Sequence, residues 1–156
     1  VSRPVAIEKS AWFHLANNCC MSMLYNLRRI NEVCKEHVEN NFRTLPGHYI
    51  AESETISAKV GELFEGTCSM IAGESLESVD LLRMRCDRIK DMISESYHRL
   101  YSNLHEGDPE AMSVLYVYMN VLQETQEMVS SMRKYLRAFA KLKDSAYSGR
   151  AKAKIS

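Results

Sequence analysis

Several things are missing from this sequence, and each absence narrows the reading. There is no excess charge of either sign: Lys plus Arg is 20 and Asp plus Glu is 20, for a net charge of zero. A dedicated nucleic-acid binder normally carries a large basic excess, so that class is set aside. No run of about 18 apolar residues occurs, so no segment reads as a membrane span. The five cysteines, Cys19, Cys20, Cys34, Cys68 and Cys86, form neither a CxxC pair nor a Cys/His finger spacing, which argues against structural zinc. Their odd number and their place in apolar stretches read as small buried thiols of a reducing compartment. Gly-rich phosphate loops, a GxSxG elbow and HExxH are absent, and the isolated serines have no base arrangement visible in sequence. The chain therefore reads as a non-enzyme. What is present is a hydrophobic fraction of 46% beside 26% charged residues, enough for one globular domain with a real core.

Three prolines, Pro4, Pro46 and Pro109, each open a long stretch of helical periodicity, where a missing N–H does no harm. The pattern predicts four helices over about 5–41, 46–72, 75–105 and 109–146. Asp108-Pro109-Glu110 is the clearest start, with Asp as cap and Glu near the positive end of the helix dipole. Thr44 and Ser75 are candidate caps for the second and third helices, and Gly73, Gly107 and Gly149 sit where C-terminal caps belong.

Apolar positions alternate steps of three and four throughout: Phe13, Ala16, Cys20, Met23, Leu27, Ile30 and Cys34 in the first stretch; Ile56, Val60, Leu63 and Met70 in the second; Leu82, Cys86, Ile89, Ile93 and Leu100 in the third. The fourth carries Val114, Tyr118, Val121, Thr125, Met128, Met132, Tyr135, Phe139 and Leu142. A second stripe beside it, Leu115, Met119, Leu122, Val129 and Leu136, makes this the expected central packing element. Such spacing suits an all-α, elongated antiparallel bundle of three to four long helices with short connections. The expected domain is 1–146, with 147–156 as a basic, disordered tail.

Candidate chemistry is thin. Asp87, Asp91, Glu95 and His98 share one face of the third helix and are the candidate ligands for a divalent or iron-type metal ion. A carboxylate-bridged metal pair would need a second Glu-x-x-His besides Glu95–His98, and none exists. A solvated charged face is the simpler reading, and no cofactor is expected. His14 with Asn17 and Asn18 interrupts the first apolar face, and Asn120, Glu124 and Gln126 the last. Polar residues on a seam set register or satisfy one another, so His14, Asn18, Asn120 and Glu124 are the expected buried polar or interaction positions. Nine methionines fit soft core filling, or an adaptable helix-binding groove.

Three segments, Arg3–Asn18 (RPVAIEKSAWFHLANN), His37–Pro46 (HVENNFRTLP) and Tyr116–Met128 (YVYMNVLQETQEM), resemble the cytoplasmic PhoU-like C-terminal domain of bacterial inorganic phosphate transporters, in order and spacing along nearly the whole chain. The resemblance implies a PhoU-like helical bundle with a regulatory role in phosphate transport, held at the cytoplasmic face of the inner membrane. Its implied partners are the permease portion of the same polypeptide, a second copy of itself or a signalling partner. PhoU-like proteins often carry Glu/Asp-x-x-x-Asp pairs that bind metal clusters. Asp87-Arg-Ile-Lys-Asp91 matches that spacing, whereas Glu124-Thr-Gln-Glu-Met128 has Met in place of the second carboxylate.

A chain that starts at Val1 then fits a domain cut just after a transmembrane segment. Four antiparallel helices would bring Val1 and the basic tail to one end, gathering Arg3, Lys9, Arg133, Lys134, Arg137, Lys141, Lys143, Arg150, Lys152 and Lys154 there, partly offset by Glu74, Glu77 and Asp80. Glu106, Asp108 and Glu110 mark the opposite end. A basic end facing an anionic inner leaflet gains about 1 kcal/mol per well-placed cation.

Overall fold

A computed structural model describes the backbone of residues 3–40, 43–74, 78–104 and 108–153, and side chains between residues 6 and 144 of those segments. Four helices account for nearly all of it: α1 (Arg3–Glu39), α2 (Gly47–Ala72), α3 (Val79–Asn103) and α4 (Pro109–Ala153), with no strand among the described residues. The chain is all-helical, as its periodicity predicts.

The boundaries follow local chemistry. Asp108 caps α4, its Oδ1 accepting the Ala111 N–H at 2.7 Å. Gly73 ends α2 at φ 76°, a left-handed conformation that costs glycine little, and its N–H closes onto the Met70 carbonyl. Two expected caps differ. Ser78, not Ser75, caps α3 by accepting the Leu81 N–H at 3.1 Å, so that helix begins at Val79; Ser75 lies outside the described residues. Ahead of α2 it is Pro46 that occupies the cap position, and no side chain closes it.

Helix α4 also runs past the boundary expected for it. Its backbone stays helical through Ala153, where a disordered tail from residue 147 is the sequence expectation. Beyond Ala146 no proline interrupts the chain, Ala151 and Ala153 favour helix, and lysines suit a C-terminal turn. A single Gly149 costs only about 1 kcal/mol against that. Residues 154–156 of the expected tail, and Gly107, lie outside the described residues.

The helices alternate in direction. Asn26 meets Glu124 and Trp12 meets Arg137 across α1 and α4; Asp87 meets Arg133 and Ser94 meets Gln126 across α3 and α4. Glu52 meets Arg99 and Tyr49 meets Asn103 across α2 and α3. In each pair, rising numbers on one helix match falling numbers on the other. Close packing joins α1 to α4, α4 to α3 and α3 to α2, with α4 in the middle. Among the described residues no comparable packing joins α1 to α2, so the bundle is open along that side.

Both α4 stripes are buried, from Val114 and Leu115 through Leu122, Met128 and Val129 to Leu136. The α2 and α3 stripes face them as their periodicity predicts, with Leu63, Leu82, Cys86, Ile93 and Leu100 fully enclosed. The phase of α1 differs. Ala16, Cys19, Met23 and Asn26 are buried against α4, whereas Phe13 and Leu27 are 62% and 46% exposed. The thiols split likewise: Cys19 and Cys86 are buried, Cys20 is half-buried, and Cys34 and Cys68 are exposed rather than enclosed.

Leu122, 2% exposed, tests the central role of α4. Leu122→Asp places a carboxylate where desolvation costs several kcal/mol, out of the roughly 5–15 kcal/mol that holds such a domain together. Thermal melts followed by circular dichroism should show loss of the cooperative transition. A variant melting within a few degrees of the parent would overturn this packing.

Candidate functional site

The α3 face expected to hold metal does not converge on one point. Asp87, Asp91, Glu95 and His98 are all exposed, because a stripe of residues four apart runs along a helix instead of closing around an ion. Asp87 is engaged elsewhere: Arg133 Nε reaches its Oδ1 at 2.7 Å and Nη2 its Oδ2 at 3.3 Å, a two-pronged bridge between α3 and α4. Among the described residues, no three His, Cys, Asp or Glu side chains group as a metal site would.

The expected seam polar residues also divide. His14, Asn18 and Asn120 are exposed, not buried; the line of α1 that α4 covers passes through Ala16, Cys19 and Met23, so His14 and Asn18 fall to its outer side. Glu124 does lie in the α1–α4 seam, its side chain 19% exposed. Its partner is Asn26, buried to 3% exposure, which periodicity alone does not single out because it sits among Leu24, Tyr25 and Leu27. The Asn26 amide donates to Glu124 Oε2 at 2.9 Å and to Glu127 Oε2 at 3.3 Å. Arg29 stands 4.0 Å from the other Glu124 oxygen. One buried amide thus ties two carboxylates of α4 to α1, which fixes the register between the helices.

A second polar knot fastens α2 to the bundle. Arg99 Nη2 donates to Glu52 Oε2 and, at 3.3 Å, to Ser96 Oγ, while the Tyr118 hydroxyl donates to Glu52 Oε1 at 3.0 Å. Tyr49 packs on Tyr118 with ring centroids 5.7 Å apart, and its hydroxyl accepts from Asn103 at 2.9 Å. Burial pushes the Glu52 carboxyl up, but hydrogen bonds from Arg99, Ser96 and Tyr118 with the Arg99 charge outweigh it and hold the group below the ordinary carboxylate range. Burial first, and then Glu52, push the Tyr118 phenol up, so it remains a donor. Burial and the nearby Asp87 charge likewise push the Cys86 thiol up to about 11, which keeps it protonated at neutral pH.

Between these two knots the open side of the bundle forms an apolar groove of about 350 Å³, with Leu27 and Ile30 on α1, Ile56 and Val60 on α2, and Leu122 and Met128 on α4. Glu52 and Tyr118 close one end. The groove continues outward onto a largely exposed stripe of α1, broken at Cys20, which packs against the core. Phe13, Leu24, Leu27 and Val38 are 62%, 60%, 46% and 71% exposed. With Asn17, Cys20, Asn31 and Cys34 between them they step by four and three for the length of the helix, the spacing of a packing seam.

At the end expected to be acidic, Arg43 bridges Asp108 at 3.0 Å and Glu110 at 2.8 Å, which offsets part of that charge; Glu106 lies outside the described residues. At the other end Arg133 is bound to Asp87, and Arg137 lies 5.7 Å over the Trp12 ring. Arg3 and the cations beyond residue 144 lie outside the described side chains. In comparisons with known proteins, no family model, curated protein or solved structure matches this chain.

The Glu52 knot has a defined pH signature. Its carboxyl titrates lower in the folded chain than in the unfolded one, so its stabilisation is complete above the ordinary carboxylate range. It is lost as pH falls through the folded value. Glu52→Gln should cost about 1 kcal/mol at neutral pH, since the exposed Arg99 limits the ion-pair part. The gap in melting temperature between parent and variant should close on acidification. A gap constant from neutral to acid pH would show that the Glu52 charge contributes nothing.

Proposed function

We propose that this chain is a regulatory and interaction domain of an inorganic phosphate transporter. It acts through helix–helix contacts with the permease portion of its own polypeptide at the cytoplasmic face of the inner membrane, and carries out no reaction itself. The observation that supports an interaction role is the uncovered seam of α1. A surface helix normally turns one apolar stripe to its core and a polar face to water. Helix α1 has an apolar line against α4 and a second set of apolar side chains, Phe13, Leu24, Leu27 and Val38, that is 46–71% exposed. Apolar patches of that length on a soluble domain generally mark a surface made for another protein element. The groove beside it, floored by Leu122 and Met128, gives an incoming helix the geometry of helix-in-groove recognition. The phosphate-transport part of the reading is supported by the resemblance of residues 3–18, 37–46 and 116–128 to the PhoU-like domains of phosphate permeases.

Two measurements test it. The reading frame ahead of Val1 should encode apolar membrane-spanning segments, and a water-soluble domain there would overturn the transporter assignment. In the full-length polypeptide, Leu24→Glu with Leu27→Glu should change phosphate uptake by severalfold. The melting temperature of the isolated chain should stay within a few degrees, since Leu24 is 60% and Leu27 46% exposed and neither belongs to the enclosed core. Unchanged uptake would remove the permease as the partner. A dimer of the isolated chain abolished by the same pair would assign the seam to self-association instead.

A further inference from the structure

A second groove lies on the opposite side of the α1–α4 contact, and its chemistry is different. It is an open groove of about 770 Å³ between α1, α3 and α4. Ser22 and Tyr25 line it from α1, Lys90 from α3, and Ser130, Ser131 and Lys134 from α4. The α4 residues stand on one face, with Lys134 one turn from Ser130 and two turns from Glu127. That separates the Lys134 end from the Glu127 end by about 10 Å along the helix at 1.5 Å per residue. The contacts of Ser94 with Gln126 and of Asp87 with Arg133 bracket Lys90 and set it level with Ser130.

The decisive feature is which groups are already engaged. Gln126 is tied to the Lys90 carbonyl and to Ser94, at 3.3 and 2.8 Å. Glu127 is held by the buried Asn26 amide. Among the described residues, neither Lys90 nor Lys134 pairs with a carboxylate, and the hydroxyls of Ser22, Ser130 and Ser131 are not engaged by another side chain. Three arginines elsewhere are paired with carboxylates of another segment: Arg133 with Asp87, Arg99 with Glu52, and Arg43 with Asp108 and Glu110. Two unneutralised ammonium groups beside three hydroxyls are the composition of an oxyanion site. The volume lies in the range of about 300–1,000 Å³ typical of pockets for whole small molecules, well beyond a bare inorganic anion. Glu127 at the far end is an acceptor that repels anions and takes hydroxyl or amine donors.

We propose that this groove binds a small phosphate monoester, its phosphoryl group between Lys90 and Lys134 and its hydroxyl- or amine-bearing remainder toward Glu127 and the serines. The exposed Tyr25 ring offers a flat face on the rim for a sugar or a base. The proposal stands on the groove alone. It is tested by binding to the isolated 156-residue chain, so its failure would leave the transporter reading untouched, and the reverse.

Calorimetric titration of the chain with glucose 6-phosphate, adenosine monophosphate, inorganic phosphate, glucose and adenosine distinguishes the possible ligands. One of the two monoesters should bind saturably at one site, at least about tenfold tighter than inorganic phosphate or its own neutral parent. Which of the two prevails tells a sugar phosphate from a nucleotide. Lys90→Ala with Lys134→Ala should weaken binding by about tenfold or more, and added salt should weaken it in the parent. Lys59→Ala, on α2 and away from the groove, should leave it unchanged. Glu127→Gln should tighten inorganic phosphate and loosen the monoester. Melts of each variant establish that it is folded. No saturable binding of either monoester up to about 10 mM, or equal binding in the double lysine variant, would overturn the site. Inorganic phosphate binding as tightly as both monoesters would overturn the assigned ligand class.

Discussion

Helix α4 has more apolar surface than one neighbouring helix can cover, and the rest of the architecture is arranged around that fact. Two adjacent stripes, one through Tyr118 and Met128 and the other through Leu115, Leu122, Val129 and Leu136, span too wide an arc for a single contact. Helix axes pack 8–10 Å apart, so two partners must flank α4 rather than stack on it, and α1 and α3 take those places. Full burial of a leucine is worth roughly 1.5–3 kcal/mol, so enclosing Leu122 and Leu136 along with Leu63, Leu82 and Leu100 outweighs any single polar contact described above. The cylinders cannot close around α4 completely. What remains is a cleft on each side of the α1–α4 contact, apolar toward α2 and polar toward α3.

Polar groups at the margins of this core decide register, not its existence. Asn26 is the clearest case. An amide buried to 3% exposure is tolerable because its nitrogen donates to the carboxylates of Glu124 and Glu127. Sliding α1 by one turn would strand that amide. Glu52 plays the same part for α2, which has fewer close contacts than the other helices and depends on side chains that reach across to α3 and α4. Burial alone would raise the Glu52 carboxyl; its lowered state records that the donors around it more than offset the desolvation.

How much of this was legible in the sequence depended on whether a helix has one apolar line or two. Helices α2 and α3 have one, and Ile56 to Met70 and Leu82 to Leu100 are buried as their spacing predicts. Helix α1 has two lines of nearly equal quality, Phe13–Cys20–Leu27–Cys34 and Ala16–Cys19–Met23–Ile30. Periodicity ranks stripes by composition and cannot see which one a neighbour covers. The covered line is the one whose smaller residues, Ala16 and Cys19, lie against α4, and it admits Asn26 because α4 presents carboxylates there. His14 and Asn18 were misplaced by that same rotation. The fate of Asp87 was illegible for another reason: its partner Arg133 is 46 residues away, and a spacing of four on one helix carries no information about a cation on another. Gly149 reads as a stop signal, yet one glycine does not outweigh alanines on both sides of it.

Helix α1 is therefore the shared wall of two clefts with opposite chemistry. It packs on α4 along the line of Ala16, Cys19 and Met23, and its buried Asn26 amide sets the register there. Whatever occupies the polar cleft touches Ser22 and Tyr25; whatever covers the apolar seam touches Leu24 and Leu27, the next positions around the same two turns. Adjacent contacts on one helix are coupled through its position. If an occupant of one cleft favours a particular placement of α1, linkage requires that an occupant of the other alter its affinity by the same factor. The strength of that coupling is bounded by how far α1 can shift before the Asn26 bonds to Glu124 and Glu127 break. Losing a buried hydrogen-bonded amide of this kind costs about 1–3 kcal/mol, which is also the usual range of a coupling free energy between two sites in one domain.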